Sequence, residues 1–175
     1  DTTNRGDGLG ANVADLPAVN LGAGRTAVAV MAADYHTCAV LDTFELKCWG
    51  EGGNGELGQG NTADVGKTAG SMAALQPVDL GGRKVLEVAG GARYTCARLD
   101  DSTVKCWGLN DDGQLGQGNA TPLGVTPGDI AAANPVDLGP DVTPLSISMG
   151  HAHACVLLLD ASSTRQVKCW GGNGW

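Results

Sequence analysis

The chain repeats itself, and that constrains its fold more than any other feature. Lys-Cys-Trp-Gly occurs at Lys47–Gly50, Lys105–Gly108 and Lys168–Gly171. Leu-Gly-Gln-Gly occurs at Leu57–Gly60 and Leu115–Gly118, and Pro-Val-Asp-Leu at Pro77–Leu80 and Pro135–Leu138, with a looser copy over 17–21. Cys38 and Cys96, Trp49 and Trp107, and Leu57 and Leu115 are each 58 residues apart, while Trp107 and Trp170 are 63 apart. Recurrence at a fixed period means one supersecondary unit copied and stacked, each copy burying a face against the next.

Each copy reads as four short strands. In the middle copy they are 75–80, 84–89, 94–100 and 102–107, each apolar or alternating and bounded by Gly or Asp turns. With 28 glycines, only 4% aromatic residues and 42% hydrophobic residues, the chain suits short strands and tight turns better than a helical bundle. Four strands per unit is the pattern of a propeller blade. A parallel β-helix has a shorter period, leucine-rich repeats have fewer strands per unit, and a sandwich would not repeat so regularly. The expectation is an all-β propeller divided into a tail of a preceding connector over 1–15, repeat 1 over 16–74, repeat 2 over 75–132 and a truncated repeat 3 over 133–175. Connectors 51–74 and 109–132 follow the first two blades.

The residues also carry a family resemblance. His36-Thr37-Cys38-Ala39-Val40-Leu41, then Lys47-Cys48-Trp49-Gly50, then Asn54 through Gly60 resemble a repeat of the regulator of chromosome condensation (RCC1) family. Copy two matches with Gly90-Gly91, Trp107-Gly108 and Asn110 through Gly116, and copy three with Gly150, His153 and Trp170-Gly171. The resemblance covers nearly the whole chain and implies that the three blades belong to a ring of about seven. The chain then reads as an excerpt that begins and ends within connectors. The long connectors and two cysteines per copy resemble secreted, cysteine-bearing members rather than the nuclear exchange factor.

Six cysteines allow 15 pairings, and the repeat selects one. Cys38 with Cys48, and Cys96 with Cys106, flank hairpin turns near Thr43 and Asp101, equidistant from each turn, so they face across adjacent strands. Cys155 and Cys169 lie 14 apart instead of 10. Four extra residues around Ala161–Thr164 are expected to lengthen that turn without changing the facing. One disulfide within each blade implies an oxidising, extracellular compartment. Zinc would need four converging ligands, and each blade offers two cysteines.

The remaining features read as structural first. Trp49, Trp107 and Trp170 share one repeat position and are expected to wedge between neighbouring blades, an aromatic ligand platform being the alternative. His36 and His153 are equivalent, and Tyr94 replaces them in copy two, so a structural hydrogen bond is expected rather than metal binding or catalysis. Lys47, Lys105 and Lys168 are expected at a solvated edge. Asn110-Asp111-Asp112-Gly113 reads as a turn, lacking the ladder of a calcium loop. Asn119-Ala120-Thr121 is a glycosylation sequon followed by Pro122, Arg5-Gly6-Asp7 spells an integrin-type tripeptide, and His151 and Trp175 fall outside the repeat.

The net charge of -8 disfavours nucleic acid and anionic membranes, and no apolar run is long enough to span a bilayer. No nucleophile–base, phosphate-loop or metal motif is present, so neither catalysis nor a cofactor is expected. The expected role is a non-enzymatic extracellular scaffold. Its protein neighbours, or copies of itself, would meet connectors 51–74 and 109–132, since loops of that length usually have work to do. The alternatives are a soluble binder of a protein or glycan, and guanine-nucleotide exchange on a small GTPase, which rests on fold analogy alone.

Overall fold

The computed structural model describes residues 12–68 and 70–174; Arg5-Gly6-Asp7 and Trp175 lie outside them. Three separate antiparallel sheets follow one another along the chain. The first contains β1 (Ala27–Ala32), β2 (His36–Leu41) and β3 (Leu46–Gly50). The second contains β4 (Val85–Gly90), β5 (Tyr94–Leu99) and β6 (Val104–Gly108), and the third β7 (Thr143–Met149), β8 (His153–Leu159) and β9 (Arg165–Gly171). β1 packs beside β4 and β4 beside β7, so the first strands of successive sheets are neighbours, as in three consecutive propeller blades. A one-turn helix interrupts each connector: α1 (Ser71–Ala74) and α2 (Asp129–Ala132).

Each sheet has three strands, not four. The expected first strand of repeat 2 lies instead against the last strand of the preceding blade, where the Val78 N–H donates to the Leu46 carbonyl at 2.8 Å. Val136 repeats this on Val104 at 2.8 Å. Pro77 and Pro135 have no N–H to offer, and Asp79 and Asp137 turn their carboxylates back to the amides of Gly81 and Gly139, so one bond forms and no ladder follows.

The third hairpin departs from expectation in a second way. The insertion lengthens the strands rather than the turn, adding the pairs Leu158↔Gln166 and Leu159↔Arg165. All three turns then close alike. The residue in the left-handed region is Phe44, Ser102 or Ser163, with φ of 64°, 64° and 62°. Four residues make two extra cross-strand pairs, so Cys155 and Cys169 keep facing one another.

The core lies in the joints between blades. One buried cluster joins Cys38, Val40, Leu46 and Cys48 of the first blade to Val85, Ala97, Leu99 and Trp107 of the second. Another joins Tyr94, Cys96, Val104 and Cys106 to Ile147, Ala154, Val156 and Leu158 of the third. The three disulfides are Cys38–Cys48, Cys96–Cys106 and Cys155–Cys169, each on a directly opposed pair. The first two sit inside these clusters, whereas Cys169 is exposed.

Successive connectors also touch. Gly55, at φ +86°, leaves no room for a side chain: a Cβ there would lie 2.7 Å from the Gly124 carbonyl carbon. Gly55→Ala should therefore lower stability by about 2–4 kcal/mol, combining the left-handed penalty with backbone overlap. Gly53→Ala, with open space around its Cβ position, should change it by less than about 0.5 kcal/mol. Urea midpoints of the two variants measure the difference; equal midpoints would refute the close approach.

Candidate interaction surface

Each joint is locked by side chains from the repeat positions. The Trp107 indole N–H donates to the Glu56 carbonyl at 3.0 Å, and the Trp170 indole N–H to the Gln114 carbonyl at 2.9 Å. Thus each tryptophan reads the backbone of the preceding connector. The Leu-Gly-Gln-Gly motif follows from this. Gly58 and Gly116 have φ of 67° and lie against the indoles of Trp107 and Trp170, where a Cβ would fall 3.0 and 2.9 Å from the ring nitrogen. Trp107 is wholly buried, while Trp49 and Trp170 are partly exposed.

His36 and Tyr94 face the following blade. His36 Nε2 lies 2.8 Å from Thr95 Oγ1, and the Thr95 hydroxyl donates to the Glu56 carbonyl at 2.9 Å. With its own proton committed, Thr95 accepts, so His36 carries its proton on Nε2. Its Nδ1 is then a bare acceptor, buried without a partner. Burial pulls the imidazole down to about 4, against a smaller upward pull from Asp34. The Tyr94 hydroxyl donates to the carbonyls of Gly150, at 3.0 Å, and His153; burial holds its pKa well above the usual value. His153 is half-buried in the third blade.

The lysines do not occupy a solvated edge as expected. Lys47 and Lys105 are 7% and 8% exposed. Their ammonium groups bind backbone carbonyls, Lys47 that of Leu21 and Lys105 those of Ile130 and Ala131. The long side chain lies along the outer strand and lets the ammonium satisfy carbonyls that no strand pairs with. Lys168 donates to the Leu138 carbonyl but stays exposed.

The first part of each connector supplies core residues. Glu56, Leu57, Asn110, Gln114 and Leu115 are at most 1% exposed. The Glu56 carboxylate accepts the Asn54 amide at 2.7 Å, and burial raises its pKa; Gln114 accepts Asp112 in the same way at 2.9 Å. Asn110 opens the expected turn, its carbonyl accepting the Gly113 amide at 3.1 Å, but its side chain is buried. It donates to the carbonyls of Asn119 and Thr121 and accepts the Leu115 amide, pinning the loop at both ends. Its burial could not be foreseen from an acidic Asn-Asp-Asp-Gly run. Among the described residues no group of three His, Cys, Asp or Glu could hold a metal.

The outer halves of the connectors rise from this base on a common plan. Gly50 bridges Val65 and Gly108 bridges Leu123. The Asp129 carboxylate then collects the amides of Gly124, Val125 and Thr126 at 3.0–3.1 Å, and the Ser71 hydroxyl accepts that of Gly66. Between these anchors, 61–64 and 118–122 are exposed. The sequon residue Asn119 stands on the second tip, its Oδ1 accepting the Thr121 amide at 2.8 Å and its Nδ2 donating to the Gln117 carbonyl at 3.2 Å.

Two family models, both described as the regulator of chromosome condensation (RCC1) repeat, match residues 48–98 and 85–114, across the first joint. The matched residues are RCC1-like repeats. Relatives of this RCC1-repeat chain include the human probable E3 ubiquitin-protein ligase HERC6, 28% identical over 79% of this chain and 12% of its own. The Arabidopsis thaliana ultraviolet-B receptor UVR8 is 29% identical over 85% and 30% of the two chains. Among solved structures, yeast RCC1 (Prp20) bound to Kap60 superimposes with a TM-score of 0.60 at 20% identity, over 85% of this chain and 30% of that one. Human WBSCR16 gives 0.61 at 20% identity, over 86% and 35%. Thus the chain spans about a third or less of each of these relatives. Among the described residues no helix is long and apolar enough to cross a membrane.

Proposed function

We propose that this chain is a non-catalytic, protein-binding segment of an RCC1-like propeller that works in an extracellular, oxidising compartment and contacts its neighbours through the connector tips. The observation behind the reading is the pairing of all six cysteines within three sheets, with none left free. Thiols in a reducing compartment are kept reduced, so a pair at the same cross-strand site in every copy suits secretion. The fold adds support, since the yeast RCC1 structure holds Kap60 and a second Prp20 structure is described with binding to Gsp1p and histones. Exposed loops on a rigid, joint-locked base are where binding residues concentrate.

Cross-linking of the native protein in its own secretions, followed by peptide mapping, tests this. Links should gather at Glu51, Asp64, Lys67, Asp111 and Asp112, on the connector side. Links confined to the hairpin turns of Thr43, Asp101 and Ser162 would place the interface on the opposite rim and refute the reading, and free thiols in the secreted protein would refute the compartment.

A further inference from the structure

Phe44 is out of place. The three hairpin turns share one backbone, and two of them put serine at the left-handed position, but the first puts phenylalanine there at φ 64°. A bulky side chain in that region is strained, and nothing in the turn demands it, since serine closes the other two. The ring is only partly used for burial, because Phe44 remains 41% exposed. The residue is instead fixed from outside the turn. Its carbonyl accepts the Val85 amide at 2.9 Å, and the Lys84 ammonium stands 5.6 Å from the ring centroid. Strain with so partial a packing return is what a side chain displayed for a ligand looks like.

Phe44 borders a cavity of about 590 Å³ at the first joint, closed on the other side by Pro77, Asp79, Arg83 and Lys84, with Glu45 beside the ring. The size suits a small ligand. The chemistry narrows it further. The two carboxylates, Glu45 and Asp79, balance the two cations, Arg83 and Lys84, so the lining has no net charge with which to select an ion. It offers hydrogen-bond acceptors and donors of both kinds around one apolar ring. Part of each group is already spoken for: Glu45 holds the Thr43 hydroxyl, Asp79 the Gly81 amide, and Arg83 the Asp101 carboxylate at 3.0 Å. These bonds fix the side chains in place, which lowers the ordering cost of binding. The second joint keeps only the proline and carboxylate of this lining, as Pro135 and Asp137: Ser102 replaces the ring, Thr103 stands in place of Glu45, and Asp141-Val142 before β7 has no basic residue.

We infer that the cleft beneath Phe44 binds a neutral saccharide, its apolar ring face stacked on the phenylalanine and its hydroxyls shared between Glu45, Asp79, Arg83 and Lys84. A sugar fits because it alternates donors and acceptors around an apolar face. The site lies on the hairpin rim, away from the connector tips, so it stands whether or not those tips bind protein.

Titration of the disulfide-bonded protein with glucose, galactose, mannose, N-acetylglucosamine and their short oligomers, followed by tryptophan-independent amide shifts in NMR, tests the site. At least one neutral sugar should shift Val85, Lys84 and the turn residues. Phe44→Ser, which installs the residue of the sister turns, should weaken that binding at least tenfold while melting no lower than the native chain. Lys84→Ala should weaken it too, with the fold intact by circular dichroism. The inference is overturned if no neutral sugar binds, if Phe44→Ser binds as well as the native protein, or if glucuronate or glucosamine binds tighter than every neutral sugar.

Discussion

Trp107→Ala should cost about 4 kcal/mol, the largest loss expected of any single side chain here. The side chain is wholly buried, sits in the cluster that joins two blades, and donates to the Glu56 carbonyl. Truncation therefore opens a large cavity and removes a hydrogen bond together. Trp107→Phe separates the two. It keeps most of the volume and leaves the Glu56 carbonyl with the Thr95 hydroxyl as its donor, so a loss of about 1–2 kcal/mol is expected. Trp170→Ala, at a partly exposed position, should cost less than Trp107→Ala. Denaturant unfolding of the three variants under non-reducing conditions measures all of this. Equal losses at 107 and 170 would mean that the deeper burial of Trp107 does not set its cost.

Acid should weaken the first joint through His36. Its folded-state value of about 4 lies below the unfolded 6.5, so the neutral ring is favoured by folding. That contribution is complete above pH 6.5, falls away as the pH drops through the window to about 4, and totals about 3 kcal/mol. The orphaned Nδ1 explains the direction, since the second proton would enter a buried site with no acceptor. Glu56 works in the opposite sense. Burial raises its pKa, so its contribution is present below 4.5 and is lost as the pH rises. Glu56→Gln, which takes the residue of the next copy, removes that counter-effect. In this background, stability measured from pH 7 to pH 4 should fall steeply with His36 present. With His36→Gln, whose amide can still reach Thr95, the slope should flatten. Parallel slopes would show that His36 does not titrate in the folded chain.

Much of this was legible from the repeat. Period, cysteine pairing and the wedge-like setting of Trp107 and Trp170 all follow from residues that return at the same spacing, because a position that recurs must satisfy the same neighbours. What recurrence hides is which copy a segment pairs with. Pro-Val-Asp-Leu returns faithfully, yet it lies along the blade before its own, and a pattern of identical units is silent on that choice. Lys47 and Lys105 misled for a different reason: charge suggests solvent, but an ammonium on a long stem can be buried wherever carbonyls lack partners. Phe44 could not be singled out from sequence, since its oddity is a backbone angle shared with two serines.

The two joints differ in whom they will accept. Tyr94 donates only to main-chain carbonyls, which every repeat possesses, so a blade bearing tyrosine there can stand before any other. His36 needs a hydroxyl on the next blade, and Thr95 provides it; the third blade has Ala154 at that place and could not. The order of the copies is thus written into the seams: shuffling or duplicating the second repeat leaves its forward seam whole, while moving the first is tolerated only ahead of a threonine-bearing neighbour.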